Sequence, residues 1–391
     1  MKAVKIKENI YWVGAIDHDL RNFHGYLTQR GSTYNAYLII DEKVTLIDAV
    51  KSYMKDEMFE RISSVIDPSK IDYVVSNHVE MDHSGALPAV MEIAKNAVLV
   101  TSPNGEKGLR EHFQKGPEKN DWNFRVVKTG DTLSLGKRSL QFILTPMVHW
   151  PDNMMNYMPE EKILFSNDAF GQHLATHERF DDEYHPDIIM QEARKYYANI
   201  VLPYSDQVRK ALNDAAPYDI EIIAPSHGIL WRKNAASIVA SYREWSENLT
   251  RRKALIIYDT MWESTKMIAG AVRKAFEESD YSVVMMNLQH NHISDVMTEV
   301  IDAEYICVGS PTLNNNMLPT TAAFLTYLKG LAPKKRKGLA FGSYGWGGQS
   351  IQQIDEILKG CGFETMEGIR VKYIPDSAAL EKIYQQVKQA L

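Results

Sequence analysis

Ile71-Asp72-Tyr73-Val74-Val75-Ser76-Asn77-His78-Val79-Glu80-Met81-Asp82-His83 is the stretch from which the rest of the chain can be read. Its first half, through Ser76, has the β-branched and aromatic character of a buried strand. Its second half packs four metal-capable side chains, His78, Glu80, Asp82 and His83, into six residues. Ser84-Gly85 then marks a turn ahead of a helical pattern. The expectation is a ligand cluster on a strand-to-helix loop. Strand alternation sends His78, Glu80 and Asp82 to one side, and the turn swings His83 to a second position, so one loop serves two adjacent ions.

Working outward, three more residues stand where ligands at strand ends would stand: His149, Asp168 and His227. The run 138–144 reads as a strand and leads to Pro146-Met147-Val148-His149-Trp150-Pro151, whose two prolines stiffen the backbone around His149. The runs 162–166 and 221–226 are also strand-like, and end at Asn167-Asp168 and at His227-Gly228. A structural zinc site needs only four ligands and favours thiolate. Imidazoles mixed with carboxylates instead suit iron, manganese or a hydrolytic zinc pair. If one carboxylate bridges, these seven residues accommodate two ions roughly 3.5–4 Å apart.

The C-terminal third carries a second kind of site. The strand-like run 253–258 leads into Asp259-Thr260-Met261-Trp262-Glu263-Ser264-Thr265 and then a helix. Hydroxyls of Thr260, Ser264 and Thr265, with helix N-terminal N–H groups, suit a phosphate. The loop lacks the lysine of a nucleoside-triphosphate loop and the three glycines of a dinucleotide fingerprint. Beyond it, helices at 264–279, 320–331 and 348–359, and one ending at 301, alternate with strands at 281–288, 305–309, 338–341 and 370–373. The pattern predicts a doubly wound, five-stranded parallel sheet. Ligands bind at the carboxyl ends of such strands. Two loops there, Ser310-Pro311-Thr312-Leu313-Asn314-Asn315-Asn316 and Ser343-Tyr344-Gly345-Trp346-Gly347-Gly348, offer backbone groups and flat aromatic faces. A phosphorylated planar ligand, FMN, is the expectation.

Together these motifs resemble the flavodiiron proteins over essentially the whole chain. That family joins a metallo-β-lactamase-like αββα sandwich to a flavodoxin-like domain, and its motif His-x-Glu-x-Asp-His followed by distant His, Asp and His is matched here at every position. The resemblance implies that His78, Glu80 and His149 bind one iron, that Asp82, His83 and His227 bind the other, and that Asp168 bridges. Hydrolases of the same fold typically have a histidine where Glu80 stands, and the added carboxylate favours iron redox chemistry. The flavin contacts carry over to Thr260–Thr265 and to the loops at Ser310 and Ser343, with one departure: free-standing flavodoxins usually have Thr-Gly in place of Trp262-Glu263.

The resemblance also implies dioxygen reduction to water, nitric oxide reduction to nitrous oxide, or both. Electrons come through FMN from a rubredoxin or a flavin- or nicotinamide-dependent reductase, in a head-to-tail homodimer or dimer of dimers. The alternative is a dinuclear zinc hydrolase with an attached flavin domain. With 391 residues, the chain suits two domains, 1–248 and 253–391, joined by a short polar segment. It ends at Leu391 soon after the last helix, like the minimal two-domain members of the family. Its two cysteines, Cys307 and Cys361, cannot build an iron–sulfur cluster, and a net charge of −6 argues against nucleic acid. Without a leader or long apolar run, the expectation is a cytoplasmic protein. The basic run Lys334-Lys335-Arg336-Lys337 reads as a solvated loop that could dock an acidic electron donor. His24 and His173 are candidate proton donors beside the metals, or plain hydrogen-bonded loop residues. Tyr196 and Tyr197 read more strongly as core or interface aromatics than as pocket residues.

Overall fold

The computed structural model describes residues 1–114 and 121–391. They form two compact units, the first from residues 1–23, 28–196 and 206–243, the second from 24–27, 197–205 and 244–391. No helix among the described residues is long and apolar enough to cross a membrane.

The first unit is built on two sheets. One runs in the order Val4–Lys7, Ile10–Trp12, Tyr37–Ile39, Thr45–Ile47, Tyr73–Ser76, Val98–Thr101 and Asn123–Val126. The other runs Thr132–Ser134, Ser139–Leu144, Met154–Met158, Ile163–Asn167 and Ile222–Pro225. The central strands are buried at almost every position because both of their faces are covered. Leu38, Leu46, Val74 and Leu99 pack with Met58, Ile62 and Leu87 of the covering helices. Their neighbours Ile39, Ile47, Val75 and Val100 point the other way, onto Phe142, Met154 and Phe165 of the facing sheet. The loops that carry the seven candidate ligands leave the ends of Tyr73–Ser76, Ser139–Leu144, Ile163–Asn167 and Ile222–Pro225.

One local expectation changes. Residues Met81–Ser84 form a helical turn, with the Ser84 hydroxyl donating to the carbonyls of Val79 (2.7 Å) and Glu80 (3.0 Å). Strand alternation therefore stops at Glu80, and Asp82 leaves the side occupied by His78 and Glu80.

The second unit is a parallel sheet in the order Ser282–Asn287, Arg251–Tyr258, Ala303–Gly309 and Lys337–Tyr344, with Glu364–Thr365 and Ile369–Lys372 sharing the last edge. The fifth strand is thus split, giving six strands in five positions. Thr365 pairs with Gly338 and Ile369 with Phe341, so four steps on one strand oppose three on the other, and the surplus residue breaks the ladder. Ala254, Ile256 and Tyr258 face helix Ser264–Glu277 through Ile268, Val272 and Phe276, while Leu255 and Ile257 are buried too.

The basic run also departs from the expected solvated loop. Arg336 is buried and donates to the carbonyls of Val300 (3.3 Å), Ile301 (2.6 Å) and Asn248 (3.1 Å). Burial pulls its pKa down to about 10. Lys337 starts a strand and pairs with Glu304 at 3.0 Å, leaving Lys334 and Lys335 exposed. The run fails as a solvated loop because the strand draws its second half into the sheet.

Candidate metal centre and flavin loops

The four ligand loops bring seven side chains into two adjoining groups: His78, Glu80, His149 and Asp168, and Asp82, His83 and His227. Asp168 stands between them. Its Oδ2 lies 3.3 Å from His149 Nε2 and 3.7 Å from His78 Nε2, while its Oδ1 lies 3.0 Å from His83 Nε2 and 3.5 Å from His227 Nε2. Glu80 Oε2 completes the first group at 3.3 Å from His78 Nε2 and 3.4 Å from His149 Nε2. Asp82 completes the second, 3.3 Å from His83 Nε2 and 3.2 Å from His227 Nε2. Ligands held about 2.0–2.2 Å from a common ion are spaced in this way.

Both oxygens of Asp82, both of Asp168 and both ring nitrogens of His83 are buried without a hydrogen bond among the described residues. So many orphaned polar atoms in one place would be costly unless an ion satisfied them. The donors are all nitrogen and oxygen, which fits iron, manganese or zinc. Glu80 and His149 retain slight side-chain exposure, 11% and 14%, so the first group is the open one.

Outer contacts fix the ring orientations. His78 Nδ1 meets Asp152 Oδ2 at 2.9 Å, and His227 Nδ1 donates to the Thr33 carbonyl at 2.7 Å, so both Nε2 atoms turn inward. Asp48, in a left-handed backbone conformation (φ 54°), accepts from the Asn77 backbone N–H (2.8 Å) and side-chain amide (2.9 Å). Asn77 Oδ1 accepts from Asn156 at 2.6 Å. Asn167 donates to Ser226 at 3.0 Å and accepts from Asn153 at 2.8 Å. Asn167 also donates to Asp48 at 3.4 Å, so buried amides stitch the four candidate-ligand loops together.

Without metal, the cluster holds its charges as internal ion pairs. Burial disfavours a charged His78, but Asp152 and Glu80 outweigh it and raise its pKa to about 10. His149 is raised to about 10 against burial by Asp168 and Glu80, and His83 to about 9 by Asp82 and Asp168. Burial pushes the carboxyls of Glu80, Asp82 and Asp168 up, yet the facing histidines hold all three below the ordinary range.

His173 is buried beside this cluster, with Nδ1 2.8 Å from Ser32 Oγ and its ring 4.9 Å from that of His227. Burial, reinforced by His227, drives its pKa well below 6.5. His24 is exposed, in the 24–27 segment that groups with the second unit. Tyr196 lies 5.1 Å from the His173 ring and 5.9 Å from that of His227, whereas Tyr197 packs on Trp245 in the second unit. Tyr34 and Trp150, 5.9 Å from His227 and 5.0 Å from His78, complete the aromatic wall and carried no signal in the sequence. Asp152 did carry one: it is a carboxylate three residues beyond a candidate ligand.

In the second unit, three loops leave the carboxyl ends of adjacent strands. Glu263 takes a left-handed conformation (φ 65°) at the start of helix Ser264–Glu277 and gives it no side-chain cap. The first-turn N–H groups are thus left for an anion. Among the described residues Thr260 Oγ1 is buried without a hydrogen bond, Ser264 is buried, and Thr265 Oγ1 lies 3.2 Å from Ser343 Oγ. Met261 and Trp262 are exposed. In the second loop, Ser310 is spent internally: its hydroxyl donates to Pro311 O and accepts from Leu318 N–H. Thr312 pairs with Ser350 at 2.8 Å, and Leu313, Asn314 and Asn315 form an exposed turn with both asparagines left-handed. In the third, Tyr344 and Gly345 are half-buried, Trp346 is 82% exposed and Gly347 is left-handed. A buried hydroxyl without a partner, an uncapped helix start and two uncovered indoles fit a phosphate carrying a flat ring system.

A family model described as ODP family beta lactamase matches residues 33–228, and one described as Flavodoxin matches residues 256–386. The nitric oxide reductase of Moorella thermoacetica is 44% identical over 390 residues, covering 98% of this chain and 97% of that protein. The solved structure of rubredoxin oxygen:oxidoreductase from Desulfovibrio gigas superposes with a TM-score of 0.95 at 43% identity, over 99% of this chain and 97% of that one. The flavodiiron protein of Giardia intestinalis superposes with a TM-score of 0.95 at 35% identity, over 100% and 96%. A divided carboxylate in a metallo-β-lactamase-like unit and an uncapped phosphate loop in a flavodoxin-like one agree with these matches, and the chain belongs to the flavodiiron proteins.

Proposed function

We propose that this chain is an oxidoreductase that reduces dioxygen to water, nitric oxide to nitrous oxide, or both, at a diiron centre fed through FMN by an external donor such as rubredoxin. The observation that carries this reading is Asp168, with one oxygen turned to each ligand group. In this reading His78, Glu80 and His149 hold one ion, Asp82, His83 and His227 hold the other, and Asp168 spans both. When bound, the iron pair and FMN supply Lewis acidity and the reducing equivalents. The chain's own residues do the rest. Glu80, Asp82 and Asp168 concentrate negative charge on the ions, and Tyr34, Trp150 and Tyr196 keep bulk water from the histidines. Ser32 Oγ lies 3.2 Å from Thr33 O and 2.8 Å from His173 Nδ1, so its hydroxyl can donate to either. His173 can therefore move a proton by changing tautomer while staying neutral.

On the flavin side, Thr260, Ser264, Thr265 and the first-turn N–H groups hold the phosphate, and Tyr344, Trp346 and the Ser310 loop approach the ring. Glu263→Gly tests this assignment. It relieves a left-handed non-glycine residue, worth about 1 kcal/mol, but gives up a carboxylate favourably placed at a helix start and its ion pair with Lys266, so stability changes little. Removing that negative charge from beside the phosphate position tightens FMN binding a few-fold. Thermal melting and fluorescence titration read the two effects, and weaker FMN binding would contradict the phosphate assignment. We also infer that the working form is a head-to-tail homodimer. Turnover per chain then falls as the enzyme is diluted through the monomer–dimer equilibrium, and constant turnover in a demonstrated monomer refutes it.

The deciding experiment is anaerobic stopped flow of reduced protein, with iron, zinc and FMN quantified, against dioxygen and nitric oxide separately. Rapid flavin reoxidation with water or nitrous oxide as product supports the reading. Zinc in place of iron with neither gas consumed defeats it.

A further inference from the structure

Behind the metal-bearing loops, within the first unit, lies a cavity of about 20 Å³ with an entirely apolar wall. Val148 and Ala169, the residues bonded directly to His149 and Asp168, form part of that wall. Phe170, Leu212 and Ala215 line it as well, and the same three residues line a larger surface groove of about 280 Å³ between the strand and helices beyond. The groove, the shared wall and the cavity thus form a largely apolar series from the surface to the back of two candidate ligand residues, with Arg243 at the groove.

Phe170 is held at the dividing position by unusual means. Its backbone is left-handed (φ 69°), a conformation that bulky residues rarely adopt. Its N–H donates to Tyr242 Oη at 2.8 Å, its carbonyl accepts from Trp231 Nε1 at 2.9 Å, and its ring lies 4.5 Å from that of Tyr242. Strain of this kind persists where the surroundings over-determine it, and it gathers at functional sites. A void this size holds about one small molecule, and an apolar wall leaves water without partners. An uncharged diatomic gas has no such need.

We propose that this cavity is a binding and access site for the diatomic gas substrate, with Phe170, Leu212 and Ala215 as the throat. Leu212 and Ala215 sit on helix Ser205–Ala215, and rotamer changes of Leu212 can admit a gas while the polar first ligand group remains the face for protons and water. The proposal rests on the gas-reductase reading, and xenon binding tests the cavity apart from it.

Crystals of the iron- and FMN-loaded protein pressurised with xenon are expected to show a xenon atom bounded by Val148, Ala169 and Leu212. Ala215→Phe fills the throat. It is expected to abolish xenon binding and to lower kcat/KM for the gas about fivefold or more, leaving kcat at saturating gas and flavin reduction by the donor unchanged. Ala211→Val, a milder filling of the same wall, gives a smaller change in the same direction if Ala215→Phe does not fold. No xenon in the native protein, or xenon lost with kcat/KM unchanged, overturns the proposal. Xenon bound by a protein that consumes neither gas removes the reductase reading instead.

Discussion

Replacing Asp168 with alanine leaves a protein that holds less than half of its normal iron and loses gas reduction by at least about a thousandfold. The reason is geometric. Each Asp168 oxygen faces a different ligand group, at 3.3 Å from His149 Nε2 and 3.0 Å from His83 Nε2. Deleting the carboxylate therefore removes one donor from both ions and the negative charge that faces four nearby histidines. Asp168→Asn separates the two contributions, because it keeps the shape and one acceptor oxygen while losing the charge. It is expected to retain about one ion per chain, on the side where its carbonyl oxygen points. Iron per chain by elemental analysis and single-turnover gas reduction check both variants. Full iron content in Asp168→Ala would refute the bridging role.

Metal uptake by the apoprotein rises with pH. The folded pKa values of His78, His83 and His149 are raised from 6.5 to about 10, 9 and 10, so at neutral pH all three imidazoles carry protons that an incoming ion must displace. Loading at pH 7 thus releases about one proton from each of these histidines. Titration calorimetry in two buffers of different ionisation enthalpy counts them, and no buffer dependence would sink the prediction. The same shifts govern apoprotein stability. A raised folded pKa contributes stability that is fully present below about 6.5 and is lost as pH climbs through 9 to 10. The lowered carboxyl values of Glu80, Asp82 and Asp168 contribute above the ordinary carboxylate range and lose that contribution as pH falls below it. The apoprotein is therefore most stable near pH 5 to 6.5 and loses stability toward pH 10. The metal-loaded protein has already shed those protons and stays flat over the same range.

The seven-residue cluster was legible because its members follow short apolar strands, and apolar β-branched runs are among the clearer features of a single sequence. The three loops at the carboxyl ends of the parallel strands were legible for the same reason. The turn at Met81–Ser84 was not, since four residues are too few to display a helical period, and the alternation argument overran it. Asp48, Asn77, Asn153 and Asn167 look like ordinary turn residues until distant strands bring them together. Arg336 shows the converse: a charge run suggests solvent, yet its partners are backbone carbonyls, which have no sequence signature. Phe170 was hidden because nothing in its side chain announces a left-handed backbone.

The buried amide stitching among the ligand loops has a consequence for how the centre is assembled. Asp48, Asn77, Asn167 and Ser226 fix the spacing of the loops through bonds in which no metal takes part. Chelation should then leave an emptied mould rather than a collapsed one. The mould can be refilled with cobalt or manganese, so the two positions can be followed spectroscopically one ion at a time.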